Sequence, residues 1–518
     1  MNPPDPPNHV NLATVTPEND LLTDGSSTDD FTEQMRIRLE KRARLLESGK
    51  EAYPVKPERT STLAQVREAF PDLEPDEATG TKVSVVGRVV FIRNTGKLAF
   101  ATLQEGDGTR LQVMLSLAVI GAEPLADWKA LADLGDHVQV HGEVVSSRRG
   151  ELSVMAESWA MASKALRPLP TLHTGVNEET RVRQRYVDLM VREEARTMVR
   201  TRAAITRSLR ETLHANGYLE VETPILQLVH GGASARPFET HLNAFDQQMT
   251  LRIALELYLK RAVVGGIDRV YEIGRIFRNE GVDSTHSPEF TMLESYEAYT
   301  DQFGMAERMK EMILNCADVL GMRTIETPQG TIDLDGEWKW LGVYPGLSEA
   351  LGQEITPETD AAVLRRIADE RGVSVDPAWD AEKLVLELFS ELVEPTLIQP
   401  TFVYDYPPSA QPLARPHRSN PRLIEAWDLI IGGMERGTAF SELIDPVIQR
   451  ERLTEQSRRA AAGDEEAMQL DEDFLRALEY GAPPMGGIGL GIDRLVMLFT
   501  NTGIRESILF PLLKPEAG

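Results

Sequence analysis

Between residues 80 and 165 the apolar positions come in short runs of period near two: KVSVVGRVVFIR, LAFATLQ, TRLQVMLS, DHVQVHGEVVSS and ELSVMAESWAM. Turn residues separate several of them, at Asn94-Thr95-Gly96, Glu105-Gly106-Asp107-Gly108 and Arg149-Gly150. Such alternation lays one face of each strand on a core, and strands this short and this closely spaced suit a small closed β barrel. Ahead of the barrel, residues 31–79 open with a run of good helix formers that Gly49 and Pro54 bring to a stop. Behind it, LRPLPTLHTG has two prolines and no period, so residues 166–177 read as a linker. Residues 178–216 then carry a helical amphipathic pattern, and β runs alternate with helices to the C-terminus without an internal repeat. The expected architecture is multidomain: an all-β barrel over 80–165 followed by an α/β domain over 178–518. An α/β insertion is expected around 323–420.

Composition narrows the function classes. Of 518 residues, 42% are hydrophobic and 26% charged, which is globular usage. Residues 1–30 are the exception. Their five prolines, six acids and lack of Lys or Arg predict a disordered acidic tail. The net charge of −26 gives no global basic field, so a nucleic-acid partner would have to be held by local patches. Arg36, Arg38, Lys41, Arg42, Arg44 and Lys50 form one such patch beside the tail, although a solvated helix face fits the same charges. In the barrel, Arg93, Phe100 and Gln112 are the mixture that stacks and hydrogen-bonds splayed bases, and an oligonucleotide-binding barrel is one fold of this size. The single cysteine, Cys316, excludes a disulfide framework and any multi-cysteine metal site. No apolar run approaches the length of a membrane helix, and the N-terminus lacks a signal-peptide pattern, so the chain is expected to be cytoplasmic.

Three constellations carry chemistry. In RVYEIGRIFRNEGVDSTHSPEFTMLESYE (269–297), strand period two places Phe290, Met292, Glu294 and Tyr296 on one face, near Arg278. That face suits an aromatic ring on Phe290, an anion on Arg278 and a cation on Glu294; a plain hairpin with surface charges is the alternative. In EAWDLIIGGMERGTAFSELID (425–445), a turn at Gly432-Gly433 pairs Ile430 with Glu435 and puts Asp428 and Glu435 on one face. Two such carboxylates suit Mg²⁺ and a phosphate substrate, or else are solvent-facing acids. Thr438, Phe440 and Glu442 join that face only if the strand bulges near Gly437. In GGIGLGIDRLVMLFT (486–500), a glycine-rich lead into a helix with Arg494 in its first turn is expected to offer backbone N–H groups and a guanidinium to an anion.

At these residues the sequence resembles class II lysyl-tRNA synthetases, over about residues 35–515. GYLEVETPIL (217–226) is similar to the first class II motif, which builds the dimer interface. FRNEGVDSTHSPEFTMLE is similar to the second and GLGIDRL to the third, and LRIALELYLKR, GGASARPFETH and KLAFATLQ add to the set. The resemblance implies an OB-fold anticodon-binding domain and an α/β catalytic domain on an antiparallel sheet. It implies an enzyme that activates L-lysine with ATP and Mg²⁺ and charges tRNA(Lys), working as a homodimer. Phe290 would stack adenine, Arg278 would hold the α-phosphate and the amino-acid carboxylate, and Arg494 the γ-phosphate. Glu280 and Glu435 would also line the ATP site, with His286 in the loop over the phosphates. Gly232 and Glu256 would take the α-ammonium; Glu294, Tyr296 and Glu442 the ε-ammonium, on a strand with Thr438 and Phe440. Asp428 and Glu435 would coordinate Mg²⁺. Arg93, Phe100, Gln112 and Glu151 match the anticodon-reading region, and the basic helix at 36–44 would touch the tRNA backbone.

The sequence departs from the family pattern at four places. Asp428 stands where Glu is usual, Thr438 and Ile444 replace common asparagines, and Ser287 replaces the Asn of an HNPEF run. WDLIIGGME also leans towards the aspartyl and asparaginyl branch. Against that branch stand ELYLKR, EFTMLESY and FSEL, and the repulsion an acidic substrate would meet at Glu294 and Glu442. A non-catalytic tRNA-binding relative is the other alternative, and the presence of Arg278, Glu280, Phe290, Glu435 and Arg494 speaks against it.

Overall fold

The computed structural model describes residues 32–170 and 177–514. The expected acidic tail at 1–30 and half of the expected linker, residues 171–176, lie outside them. The described chain forms two compact units.

In the N-terminal unit five strands close into a ring in the order β1-β2-β3-β5-β4: β1 (Ala78–Asn94), β2 (Leu98–Gln104), β3 (Arg110–Ser116), β4 (His137–Ser146) and β5 (Leu152–Ser163). Neighbours are antiparallel except β3 and β5. The inward positions of the period-two runs, including Val85, Val89, Leu103, Leu111, Val113, Val140 and Val154, are fully buried in one core. Two helices the strand pattern did not announce, Leu117–Ile120 and Ala122–Leu131, connect β3 to β4, and Trp128 seals the core there.

The basic helix is Glu33–Glu47, capped by the Thr32 side chain, which accepts from the Met35 N–H. Its charges are largely committed within the unit. Arg38 is buried and donates to the Leu134 and Ala165 carbonyls at 2.9 and 3.0 Å. Lys41 pairs with Asp133 at 2.6 Å, and Arg42 lies over the Tyr53 ring. Arg38 and Lys41 thus fasten the helix to the barrel, while Arg36 and Arg44 are exposed.

Residues 178–216 form three helices, Glu178–Arg183, Arg185–Val191 and Glu193–Ala215; the middle one, from Tyr186 on, falls in the N-terminal unit and the other two in the larger unit. The strands that follow are β6 (Leu219–Glu220), β7 (Leu226–Gln227), β8 (Glu239–Leu242), β9 (Gln247–Leu251), β10 (Arg269–Phe277) and β11 (Glu289–Ala298). Then come β12 (Thr324–Thr327), β13 (Gly330–Asp333), β14 (Lys339–Gly342), β15 (Thr401–Tyr404), β16 (Ala426–Ile430), β17 (Glu435–Ser441) and β18 (Met485–Gly491). Eight of them build the main sheet, in the order β14-β15-β16-β17-β18-β11-β10-β6. It is antiparallel throughout its middle, with parallel pairs only at the two ends. Part of the 323–420 stretch therefore belongs to this sheet, as β14 and β15.

Strand alternation decides what each face of the sheet does. Leu293, Trp427, Ala439, Ile488 and Leu490 point to one side and bury against Met305, Met309, Met312 and Ile313 of the helix Gln302–Leu320. Their neighbours Glu294, Asp428, Thr438, Phe440, Gly487 and Gly489 point to the other, where they line a cavity of about 370 Å³. The apolar residues hold the sheet rigid, and the intervening polar ones become a site.

Candidate active site

Register assembles the floor of the cavity. Across β11, β18, β17 and β16 one row runs Glu294, Gly489, Thr438, Asp428, and the next runs Tyr296, Gly487, Phe440, Ala426. Ile431 and Met434 close the turn between β16 and β17 around Gly432 and Gly433, both at positive φ. Leu429 then faces Gly437 while Ile430 faces Glu435, so Arg436 is the extra residue of a bulge. This is the bulge expected near Gly437, and it brings Glu435 into the cavity together with Thr438, Phe440 and Glu442.

One expectation is corrected. The glycine-rich segment is not an anion-binding loop before a helix: residues 485–491 are a central strand whose partners lie on both sides. The glycines there make room. A Cβ on Gly487 would fall 2.2 Å from Glu442 Oε1 and 2.4 Å from Tyr296 Cε1. Only the helix Ile492–Thr500, which carries Arg494, follows the expected form.

At one end of the cavity lies an acid cluster buried almost completely: Glu256, Glu294 and Glu442. Glu294 accepts from the Leu255 N–H at 2.9 Å and from the Tyr296 hydroxyl at 3.1 Å. Glu256 pairs with Lys260 one helical turn on, at 2.5 Å, and the same ammonium touches Glu442. Both Glu442 oxygens are nevertheless without a well-directed hydrogen bond. Burial, reinforced by the neighbouring acid Glu256, raises Glu294 to about 7. Burial raises Glu442 to about 8 against the pull of Lys260. Burial raises Glu256 too. The cluster is short of positive charge.

The other end is cationic. Arg278 follows β10, its guanidinium 5.3 Å from the centre of the Phe290 ring, and its Nε donates to the Ile253 carbonyl at 3.3 Å. Arg494 reaches Glu435 Oε2 at 3.3 Å and lies 3.4 Å from His286 Nε2. His286 is oriented by Asp283, which holds its Nδ1 at 2.9 Å and accepts from its backbone N–H at 2.8 Å. Between the two ends, Asp428 is raised to about 7, first by burial and then by the charge of Glu435. Among the described residues no group of three or more His, Cys, Asp or Glu side chains is placed to hold a metal. Two mutually repelling carboxylates do suit Mg²⁺, which takes few protein ligands and completes its shell with water and phosphate oxygens.

All the expected residues of the α/β domain therefore meet in one cavity: Gly232, Glu256, Arg278, Glu280, His286, Phe290, Glu294, Tyr296, Asp428, Glu435, Thr438, Phe440, Glu442 and Arg494. Three supporting residues escaped the sequence reading. Lys260 is one, and the i,i+4 spacing of Glu256 and Lys260 in ELYLKR was its available signal. Arg436 donates to the Arg494 carbonyl at 2.8 Å, a role visible only once the bulge is placed. Asp493 accepts from the Thr291 N–H at 2.7 Å and from Arg202 at 2.5 Å, tying the Arg494 helix to β11.

On the barrel, Arg93 faces Phe100 across β1 and β2, its guanidinium 4.7 Å from the ring centre. Gln112 is in register with Thr102 and donates to the Ser153 hydroxyl at 2.8 Å. Glu151 lies just before β5 and pairs with Arg67 at 3.3 Å. Phe91, overlooked in the sequence, lies beside this patch and is 52% exposed.

A cavity with an aromatic-backed arginine, a second arginine, two facing carboxylates and a floor of antiparallel strands defines a class of protein. Residues 177–514 match the family of class II tRNA synthetases (D, K and N), and residues 83–161 match the OB-fold nucleic acid binding domain. The chain belongs to the class II tRNA synthetases, and within them to the lysine–tRNA ligases. It is 59% identical to the lysine–tRNA ligase of Mycolicibacterium gilvum over 497 residues, covering 95% of this chain and 99% of that one. It is 58% identical to that of Kineococcus radiotolerans over 491 residues (94% and 98%) and 55% identical to that of Mycobacterium bovis over 504 (96% and 100%).

Proposed function

We propose that the chain activates L-lysine with ATP and transfers it to the 3′-terminal hydroxyl of tRNA(Lys). The observation that carries the choice of amino acid is the buried acid cluster, whose negative charge exceeds its positive charge. Glu294, Glu442 and Tyr296 hold the ε-ammonium, while Glu256 and Gly232 take the α-ammonium. Thr438 and Phe440 form the floor between them. A neutral side chain would leave these acids unpaired, and polar pairing of this kind rejects mismatches by about 10⁴-fold or more.

The reaction needs no side-chain nucleophile. A lysine carboxylate oxygen attacks the α-phosphorus, the bond to the bridging oxygen breaks, and pyrophosphate leaves. The terminal ribose hydroxyl of tRNA then attacks the carbonyl carbon of the adenylate and AMP leaves. Phe290 stacks the adenine, Arg278 holds the carboxylate and α-phosphate together, and Arg494 holds the γ-phosphate under His286, with Glu280 at the ATP site. Catalysis is positioning and charge stabilisation. Asp428 and Glu435 would hold Mg²⁺, which supplies charge neutralisation at the phosphate oxygens.

Arg93, Phe100, Gln112 and Glu151 read the anticodon. The chain pairs as a homodimer through the 217–226 segment, whose Leu219, Ile225 and Leu226 are exposed in the single chain. It works in the cytoplasm, where its one cysteine stays buried and reduced. The test is ATP–pyrophosphate exchange with each amino acid in turn. Exchange with lysine alone is expected. Exchange with aspartate or asparagine instead would assign the sister branch, and none with any amino acid would leave a tRNA binder.

A further inference from the structure

Lys260 is 1% exposed in the middle of the helix Glu256–Val264, and it is absent from the residues lining the cavity. Its ammonium lies behind the wall, at 2.5 Å from Glu256 and against Glu442. Those are two of the three acids assigned above to the substrate's ammonium groups. A fully buried lysine is costly unless its charge is paired, and pairing it with two acids at once is more than its own burial requires.

We propose that Lys260 is a positioning residue that sets the specificity of the lysine site: it aims Glu256 and Glu442 and favours their ionised forms, so that the cluster, once ionised, carries two net negative charges to be matched by the substrate's two ammonium groups. The inference rests on the lysine reading of the site. The charge count takes in the groups that act on these three acids. The helix contributes Glu256 and Lys260, β11 contributes Glu294 and Tyr296, and the segment after β17 contributes Glu442. Arg278, after β10, acts on Glu294 from the phosphate end, where the substrate carboxylate occupies it. Three carboxylates less one ammonium leave two charges. L-Lysine, its carboxylate on Arg278, brings two cations and closes the balance. An amino acid with one ammonium leaves a buried acid either unpaired or protonated.

The geometry bears on Glu442 most directly. Its oxygens have no directed hydrogen bond, and Lys260 is the cation that opposes its protonation. Without Lys260 the cluster would hold additional protons, and lysine would have to expel them on binding.

The experiment is lysine-dependent pyrophosphate exchange on the full-length protein, with Lys260→Met and Lys260→Arg compared across pH. Removing one compensating unit charge should raise the lysine KM of Lys260→Met by about tenfold or more, the equivalent of at least one pKa unit. That loss should deepen as pH falls, while the ATP KM stays near the wild-type value. Lys260→Arg keeps the charge and should recover most of the lysine KM. An unchanged lysine KM in Lys260→Met, equal losses for lysine and ATP, or a loss with no pH dependence would each overturn the proposal. Should Lys260→Met fail to fold, Lys260→Arg decides alone: a lysine KM close to wild type supports the role and a tenfold loss overturns it. If wild type itself shows no exchange with lysine, the underlying reading of the site falls instead.

Discussion

Gly487→Ala is the smallest change that tests the lysine site. The added methyl would lie 2.2 Å from Glu442 Oε1, and 2.4 and 2.8 Å from two atoms of the Tyr296 ring. Relief by moving the strand is blocked, because Gly487 is in register with Tyr296 on one side and with Phe440 on the other. The side chains must therefore yield by about 1 Å, and neither is free. Glu442 is in contact with Lys260, and the Tyr296 hydroxyl is bonded to Glu294. Overpacking of this kind costs about 1–3 kcal/mol. Falling on the proposed ε-ammonium ligands, it should lower kcat/KM for lysine by roughly 5- to 150-fold. The measurement is pyrophosphate exchange with lysine varied at saturating ATP, then ATP varied at saturating lysine. The ATP KM should hold, since Phe290 and Arg494 are untouched. A lysine kcat/KM within twofold of wild type would refute the assignment of Glu442 and Tyr296, and parallel losses for both substrates would indicate general distortion instead.

Three further outcomes are expected. Phe100→Ala should leave pyrophosphate exchange unchanged and impair tRNA charging, by about 1–3 kcal/mol for a lost base stack; steady-state aminoacylation beside exchange separates the two. Phe290→Ala should raise the ATP KM by roughly 2- to 10-fold, the worth of an aromatic stack, with the lysine KM at saturating ATP little changed. The lysine KM should rise as pH falls through about 8 and then 7, because burial raises Glu442 and Glu294 to those values and an ammonium ligand binds their ionised forms. Each proton released on binding steepens the dependence by up to about tenfold per pH unit, so a KM flat from pH 8.5 to 6.5 would contradict the picture.

What was legible in the sequence was whatever strand parity and turn chemistry control. The period of two in FTMLESYE placed Phe290, Glu294 and Tyr296 on one face, and the bulge needed to bring Glu435, Thr438 and Glu442 together is there, at Arg436. The five barrel strands were equally plain, since each run alternates and ends in turn residues. Two kinds of feature were not legible. One is pairing between distant segments: that Arg38 is spent on the Leu134 and Ala165 carbonyls, or Asp493 on Thr291, follows from tertiary placement and leaves no local period. The other is the meaning of glycine. A run of glycines before a helix reads as an anion loop, yet here it is a strand kept bare because side chains from β11 and the segment after β17 fill the space above it.

The departures at Asp428 and Thr438 take on a different weight once the register is known. In sequence they are ten residues apart and look independent, one shortening a metal ligand and the other removing an amide from the lysine strand. In the sheet they are direct cross-strand partners on the cavity face. The Thr438 hydroxyl donates to the Trp427 carbonyl at 3.3 Å and its side chain also hydrogen-bonds Asp428. Both changes therefore shrink one row of the cavity floor, and neighbouring side chains on a sheet face adjust to each other rather than separately. A shorter acid opposite a shorter neighbour keeps the row self-consistent. The acid pair Asp428 and Glu435 remains intact at that end of the floor, while Glu442, to which the proposed function gives the choice of lysine, lies two rows further along the strand, against Lys260 of the neighbouring helix.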